Sequence, residues 1–180
     1  MVRDQYESLN ALRNKLVGIN FEMDKLKLGL SAESIESIKN VSIIYHVAAT
    51  VRFDEPLRNV ILMNTRMTHE FIKFAKDLNH LDVFIHVSTA YCNIQYNPLE
   101  EKLYNPVMDW RSAIKIAEKN DEELLNIVSS KFIHPFPNAY TFSKHLSEHV
   151  INDERGDLPF VIVRPSIGNL IHFPLNVTLF

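Results

Sequence analysis

Glycine is scarce in this 180-residue chain. There are four, about 2% of positions against a usual share of about 7%. Gly18, Gly29, Gly156 and Gly168 stand far apart, so no glycine-rich turn can offer consecutive backbone N–H groups to a phosphate. Cysteine is nearly absent. The single Cys92 excludes an intramolecular disulfide and suits a reducing compartment. Long apolar runs are missing too. The stretch Pro165 to Phe180 lacks Asp, Glu, Lys and Arg but is broken by two prolines and two asparagines, which excludes a transmembrane helix there. Positive charge is not in excess either. A net charge of −3 and no dense Lys/Arg cluster exclude nucleic acid as the expected partner. Residues 1–7 lack the apolar core of a signal peptide, and the chain is expected to be soluble and intracellular.

What is present is the ordinary balance of a single folded domain over residues 1–180, with 46% hydrophobic and 23% charged residues. Val41 to Ala49, Val83 to Ala90 and Phe160 to Arg164 are short runs rich in Val, Ile and aromatics, the pattern of buried parallel strands. Lys15 to Phe21 is a weaker fourth. Between the first two strands, Leu57, Val60, Ile61, Met67, Phe71, Phe74 and Leu78 recur at helical spacing, with Pro56 at the first turn. A second helix is expected from about Asn138 to Asp153 on the stripe Phe142, Leu146 and Val150. A third is expected near Asp121 to Ser130, within a polar excursion (residues 97–131) over the sheet edge. Strands alternating with helices predict an α/β fold: a partial Rossmann-type parallel sheet with flanking helices.

Tyr140 and Lys144 fall four apart on one helix face. An ammonium beside a phenol is expected to lower the tyrosine pKa and prepare a proton donor for a carbonyl oxygen. The same spacing also describes a solvated surface pair. Ser88 and Thr89 end the second strand, where open parallel sheets place their ligands. A hydroxyl there can orient a carbonyl, or simply satisfy turn backbone. Asn64 sits on the apolar stripe of its helix and, if buried, must support backbone or hold a water. His46 and His86 lie inside strands and read as packed neutral side chains. His145 and His149 are four apart, but nothing converges on them to hold a metal, and Cys92 has no catalytic partner.

The segments Tyr45–Leu57, His86–Asn93, Asn138–Lys144 and Val163–Ile167, with Leu28–Ser31, closely resemble the alcohol-forming fatty acyl-CoA reductases, a branch of the extended short-chain dehydrogenase/reductases. The likeness runs from about residue 28 to 167. It implies an NAD(P)-binding reductase domain that uses NADPH to reduce long-chain acyl-CoA through an aldehyde to a fatty alcohol. By resemblance, Tyr140 is the proton donor, Lys144 its pKa modulator and ribose ligand, and Thr89 the carbonyl-binding hydroxyl, with Ser88 the fallback. Asn64 matches the helix asparagine of the superfamily, and Ala48 and Ala49 match the small residues beside the cofactor. Pro165, Ser166 and Ile167 match the segment beside the nicotinamide. Full-length relatives are associated with the endoplasmic reticulum or peroxisome membrane. The family's glycine-rich first turn and its C-terminal helical domain find no counterpart here, so the domain is expected to be incomplete. The alternative expectations are a truncated, inactive pseudoenzyme or interaction module, and an extended reductase of another carbonyl substrate.

Overall fold

The computed structural model describes residues 15–23 and 25–166. Three strands, β1 (Ile43–His46), β2 (Val83–Val87) and β3 (Phe160–Val163), form a parallel sheet in the order β1-β2-β3. Ile43 pairs with Val83, and Phe84 pairs with Phe160. β-Branched and aromatic side chains suit this pleated surface. Each strand stops one to three residues before its apolar run does, because the chain turns out of the ladder to build loops at the carboxyl edge.

Helix α1 (Ala32–Ile38) precedes β1 and is capped by the Ser31 hydroxyl. The expected helix between β1 and β2 is present as one continuous piece: α2 (Leu57–Val60), a π-helical turn (Ile61–Arg66) and α3 (Met67–Lys76). α4 (Trp110–Lys119) and α5 (Glu122–Phe132) follow β2, each capped by an aspartate, Asp109 and Asp121. α6 (Ala139–Glu154) leads to β3, with the Asn138 side-chain Oδ1 accepting the Thr141 N–H at 2.9 Å.

Two apolar clusters hold these elements together. One joins Ile72, Ala75, Phe84 and Ile151 and packs α3 and α6 on one face of the sheet. The other joins Leu57, Val60, Trp110, Phe142, Leu146 and Val150 and packs α2, α4 and α6. The opposite sheet face carries Ile43, Tyr45, Val161 and Val163, all exposed.

Two expectations are corrected. Lys15–Phe21 is not a strand. Leu16 and Val17 are 74% and 80% exposed, and four apolar residues without a ladder partner or a buried face cannot sustain one. The 97–131 excursion is only partly at the sheet edge. Glu100 and Lys102 give their carbonyls to Arg164 beside β3, while α4 and α5 pack on the helical layer. α4 went unpredicted although Trp110, Ala113, Ile114 and Ala117 recur at helical spacing and are buried.

The segment before α1 is locally unusual. Lys27 and Leu28 adopt positive φ, 53° and 60°, which costs side-chain-bearing residues free energy. The Leu28 side chain is buried and the Glu70 carboxylate accepts the Lys27 N–H at 2.8 Å, two interactions that offset the strain.

Candidate active site

At the carboxyl edge of the sheet, β2 and β3 end against the first turn of α6 and enclose a cleft of about 420 Å³. Its walls are Val51, Phe53, Tyr91, Ile94 and Pro137, with Ser88, Thr89, Asn138, Tyr140, Thr141, Pro165 and Ser166 adding polar points. Such a lining, apolar with a few placed hydroxyls, is what small-molecule sites look like.

Tyr140 lies half-buried in this wall, its ring 5.8 Å from that of Phe53. Burial raises its phenol above the usual range, and a hydrogen bond with the Thr89 side chain pulls the other way. The expected lowering by Lys144 is therefore overturned. The lysine is buried under the cleft, and its Nζ donates to the Val87 carbonyl at 2.6 Å. Burial brings the Lys144 ammonium down to about 8, against the pull of the Glu148 carboxylate. Beneath it, the His46 and His86 rings lie 5.0 Å apart. Burial, then the Lys144 charge, pushes His46 down to about 3 and His86 well below its ordinary value. Both are neutral packed residues, and neither ring nitrogen of His86 has a hydrogen-bond partner.

The two expected hydroxyls have parted company. Thr89 faces Tyr140, whereas the Ser88 hydroxyl donates to Glu148 Oε1 at 2.5 Å. Asn64, buried on the π turn, clamps a loop. Its Oδ1 accepts the Thr50 N–H at 2.9 Å, and its Nδ2 donates to the Thr50 carbonyl at 3.1 Å and to Ser143 Oγ at 2.9 Å. Thr65 Oγ1 adds a bond to the Ser143 carbonyl at 3.2 Å. The π turn thus aims two consecutive polar side chains at α6, a local irregularity of the kind found at functional sites. Ala48 and Ala49 ride on the clamped loop, half-buried, and that loop enters the cleft at Val51. Pro165 and Ser166 line the cleft, and the Pro165 carbonyl accepts the Ala90 N–H at 3.0 Å. Ile167 lies outside the described residues.

Glu148, Arg164 and Asn93 escaped the sequence reading as site residues. Glu148 is buried on α6 one turn beyond Lys144. Burial alone would raise its carboxyl, but hydrogen bonds from Arg164 and Ser88 hold it below the usual carboxylate range. Cys92 also donates to it, at 3.1 Å, and burial pushes that thiol up to about 12. His145 Nδ1 meets Asn93 Oδ1 at 2.9 Å, so the His145/His149 pair serves packing. No group of three or more metal-binding side chains occurs among the described residues. Spacing was the available signal, since Tyr140, Lys144 and Glu148 lie on consecutive turns of α6.

The profile of the NAD_binding_4 family, described as Male sterility protein, matches residues 2–168. The chain belongs to this family. It is 40% identical over 156 residues to "Fatty acyl-CoA reductase 1" of Homo sapiens, covering 86% of this chain and 30% of the relative. To "Fatty acyl-CoA reductase wat" of Drosophila melanogaster it is 42% identical over 141 residues, covering 78% of this chain and 27% of the relative. The chain thus spans about a third of the length of these relatives. Among solved structures, the terminal R domain from the myxalamid PKS-NRPS biosynthetic pathway superposes with a TM-score of 0.60 at 21% identity, covering 87% of this chain and 34% of that one. That likeness establishes a shared Rossmann-like fold.

Family membership makes a nicotinamide dinucleotide the cofactor class. The nicotinamide end fits the residues present: Tyr140 and Lys144 stand one turn apart on α6, the first on the cleft wall and the second buried beneath it, and the loop bearing Ala48 and Ala49 is fixed by Asn64. Among the described residues, no glycine-rich turn follows a strand to hold a pyrophosphate.

Proposed function

We propose that the protein serves NADPH-dependent reduction of a long-chain acyl-CoA to a fatty aldehyde and then a fatty alcohol. The observation that carries this reading is the pairing of Thr89 with Tyr140 on the wall of an apolar cleft, with Lys144 buried beneath. The relatives' names supply the substrate class, and NADPH is the cofactor implied by the resemblance of the sequence motifs. Val51, Phe53 and Ile94 suit an alkyl chain or thioester better than a sugar.

NADPH, when bound, supplies the hydride. The residues of the chain do the rest. Thr89 donates a hydrogen bond to the thioester carbonyl and fixes its orientation. Tyr140, kept protonated by burial, gives its Oη proton to the oxygen as charge develops there. Collapse of the resulting hemithioacetal expels coenzyme A as its thiol and leaves the aldehyde, which is reduced by the same groups. Lys144 would hold the nicotinamide ribose. Association with the endoplasmic reticulum or peroxisome membrane would bring the site to its substrate. Among the described residues no helix is long and apolar enough to cross a membrane.

Replacing Tyr140 with Phe tests the assignment. Palmitoyl-CoA reduction should fall about 100-fold or more, while NADPH affinity, measured by titration, changes less than about twofold. Unchanged turnover in Tyr140→Phe would remove the tyrosine from the chemistry. A wild-type protein that neither binds NADPH nor reduces palmitoyl-CoA would instead identify the domain as a non-catalytic interaction module.

A further inference from the structure

A dense polar cluster lies behind the cleft rather than in it. Glu148 is 1% exposed, yet its carboxylate takes hydrogen bonds from three separate segments. Oε1 accepts from Ser88 Oγ at 2.5 Å, Arg164 Nε at 2.9 Å and Cys92 Sγ at 3.1 Å, and Oε2 accepts from Arg164 Nη2 at 2.7 Å. Arg164 in turn reaches the Glu100 and Lys102 carbonyls at 3.2 and 2.9 Å. One carboxylate therefore ties α6 to the ends of β2 and β3 and to the 100–102 segment. A buried ion pair this well satisfied contributes more to defining one geometry than to stability.

The geometry it defines is that of Thr89. On one side, Ser88 is fixed by its hydroxyl on Glu148 and by its N–H on the Val163 carbonyl, at 2.7 Å. On the other, the Ala90 N–H is fixed by the Pro165 carbonyl, next to Arg164. Thr89 itself is held only by its local turn, its Oγ1 accepting the Tyr91 N–H at 3.3 Å, and its side chain meets Tyr140. One turn before Glu148, Lys144 grips the Val87 carbonyl, so the two buried charged residues of α6 hold the same strand end.

We propose that Glu148, clamped by Arg164, is the positioning residue of the site: by holding the Ser88 hydroxyl it aims the adjacent Thr89 hydroxyl at the substrate carbonyl, and Ser88 itself never touches substrate. This rests on the reductase reading above and assigns different work to two neighbouring hydroxyls.

The test compares Ser88→Ala, which keeps the ion pair and so the fold, with Thr89→Val and Glu148→Gln. Amide hydrogen exchange on the protein without cofactor is one readout. Exchange at Ala90 should rise about 5- to 10-fold in Ser88→Ala, the loss of one hydrogen bond. Exchange at Phe84, bonded to the Pro159 carbonyl at the far end of the strand, should not move. The other readout is palmitoyl-CoA reduction. Ser88→Ala and Glu148→Gln should lose about 10- to 100-fold in kcat with KM unchanged, the signature of misplacement. Thr89→Val should lose about 100-fold or more. Equal losses in Ser88→Ala and Thr89→Val with unaltered exchange would overturn the proposal by making Ser88 a substrate contact. Unaltered exchange together with unaltered kcat in Ser88→Ala would overturn it as well. If the wild-type protein reduces nothing, the reductase reading fails, and exchange at Ala90 alone decides whether Glu148 places Thr89. Should Glu148→Gln not fold, Ser88→Ala carries both readouts.

Discussion

Helix α6 divides two interiors of opposite character. On one side Phe142, Leu146 and Val150, all fully buried, pack against Trp110 and Ala113. On the other, Ser143, Lys144 and Glu148, equally buried, face Asn64, Val87, Ser88 and Arg164. The first interior is non-directional. It stabilises in proportion to the apolar area removed from water and tolerates repacking. The second gains little net free energy, because each buried polar group gives up water for its partner, but it accepts only one arrangement. One side of α6 keeps the chain folded. The other sets the coordinates of the cleft.

The sharpest way to separate the two is to damage the apolar side. Phe142→Ala should cost about 3–5 kcal/mol of stability, read by denaturant unfolding, while reduction per folded molecule stays near the wild-type level. A loss of activity larger than the folded fraction explains would show that the two interiors are coupled.

Lys144→Met should do the reverse. The folded-state pKa of Lys144 is lowered from 10.5 to about 8, so below pH 8 the wild-type protein holds an ammonium that the unfolded chain accommodates more easily. That disfavours folding by about 3 kcal/mol. The variant should therefore be the more stable protein near neutral pH, by up to that amount less the lost bond to Val87. Its advantage should shrink as pH rises from about 8 toward 10.5, where the wild-type lysine is neutral in both states. Reduction should be lost in the variant at every pH and should decline in the wild type above about pH 8. A variant less stable than wild type at pH 7 would refute this sign.

Asn64→Ala sits between these cases. It strips the Thr50 backbone of two partners and Ser143 of one, which should cost about 2 kcal/mol. NADPH affinity should fall more than KM for palmitoyl-CoA rises, since the loop it holds carries Ala48 and Ala49. Equal effects on both would show that Asn64 acts on the whole cleft.

The contrast also explains what the sequence made legible. The apolar stripe of α6, the helix from Leu57 to Lys76 and the three strands follow from hydrophobic period alone, because area burial is a property of each residue in turn. Tyr140, Lys144 and Thr89 are marked by spacing and by position at a strand end; the structure puts Tyr140 and Thr89 on the cleft wall and Lys144 beneath it. Asn64 betrayed itself as a polar residue on an apolar stripe. Glu148 did not. On a helix that already carries Lys144 and His145, a glutamate resembles a solvated face. Its burial depends on Arg164 and on Ser88, 60 positions away in sequence, a dependence no local pattern encodes. Lys15–Phe21 shows the mirror case: its local pattern suits a strand, but among the described residues no partner strand lies beside it.

The central claim is that Tyr140 and Thr89 protonate and orient a carbonyl during hydride delivery at this cleft. The most direct measurement uses NADPH deuterated at its transferable position, palmitoyl-CoA, and mass spectrometry of the lipid products of wild type and Tyr140→Phe. The account predicts hexadecanol carrying deuterium from both hydride transfers at its carbinol carbon in the wild type, and no labelled alcohol from the variant. Label appearing equally in both proteins, or in neither, would contradict it.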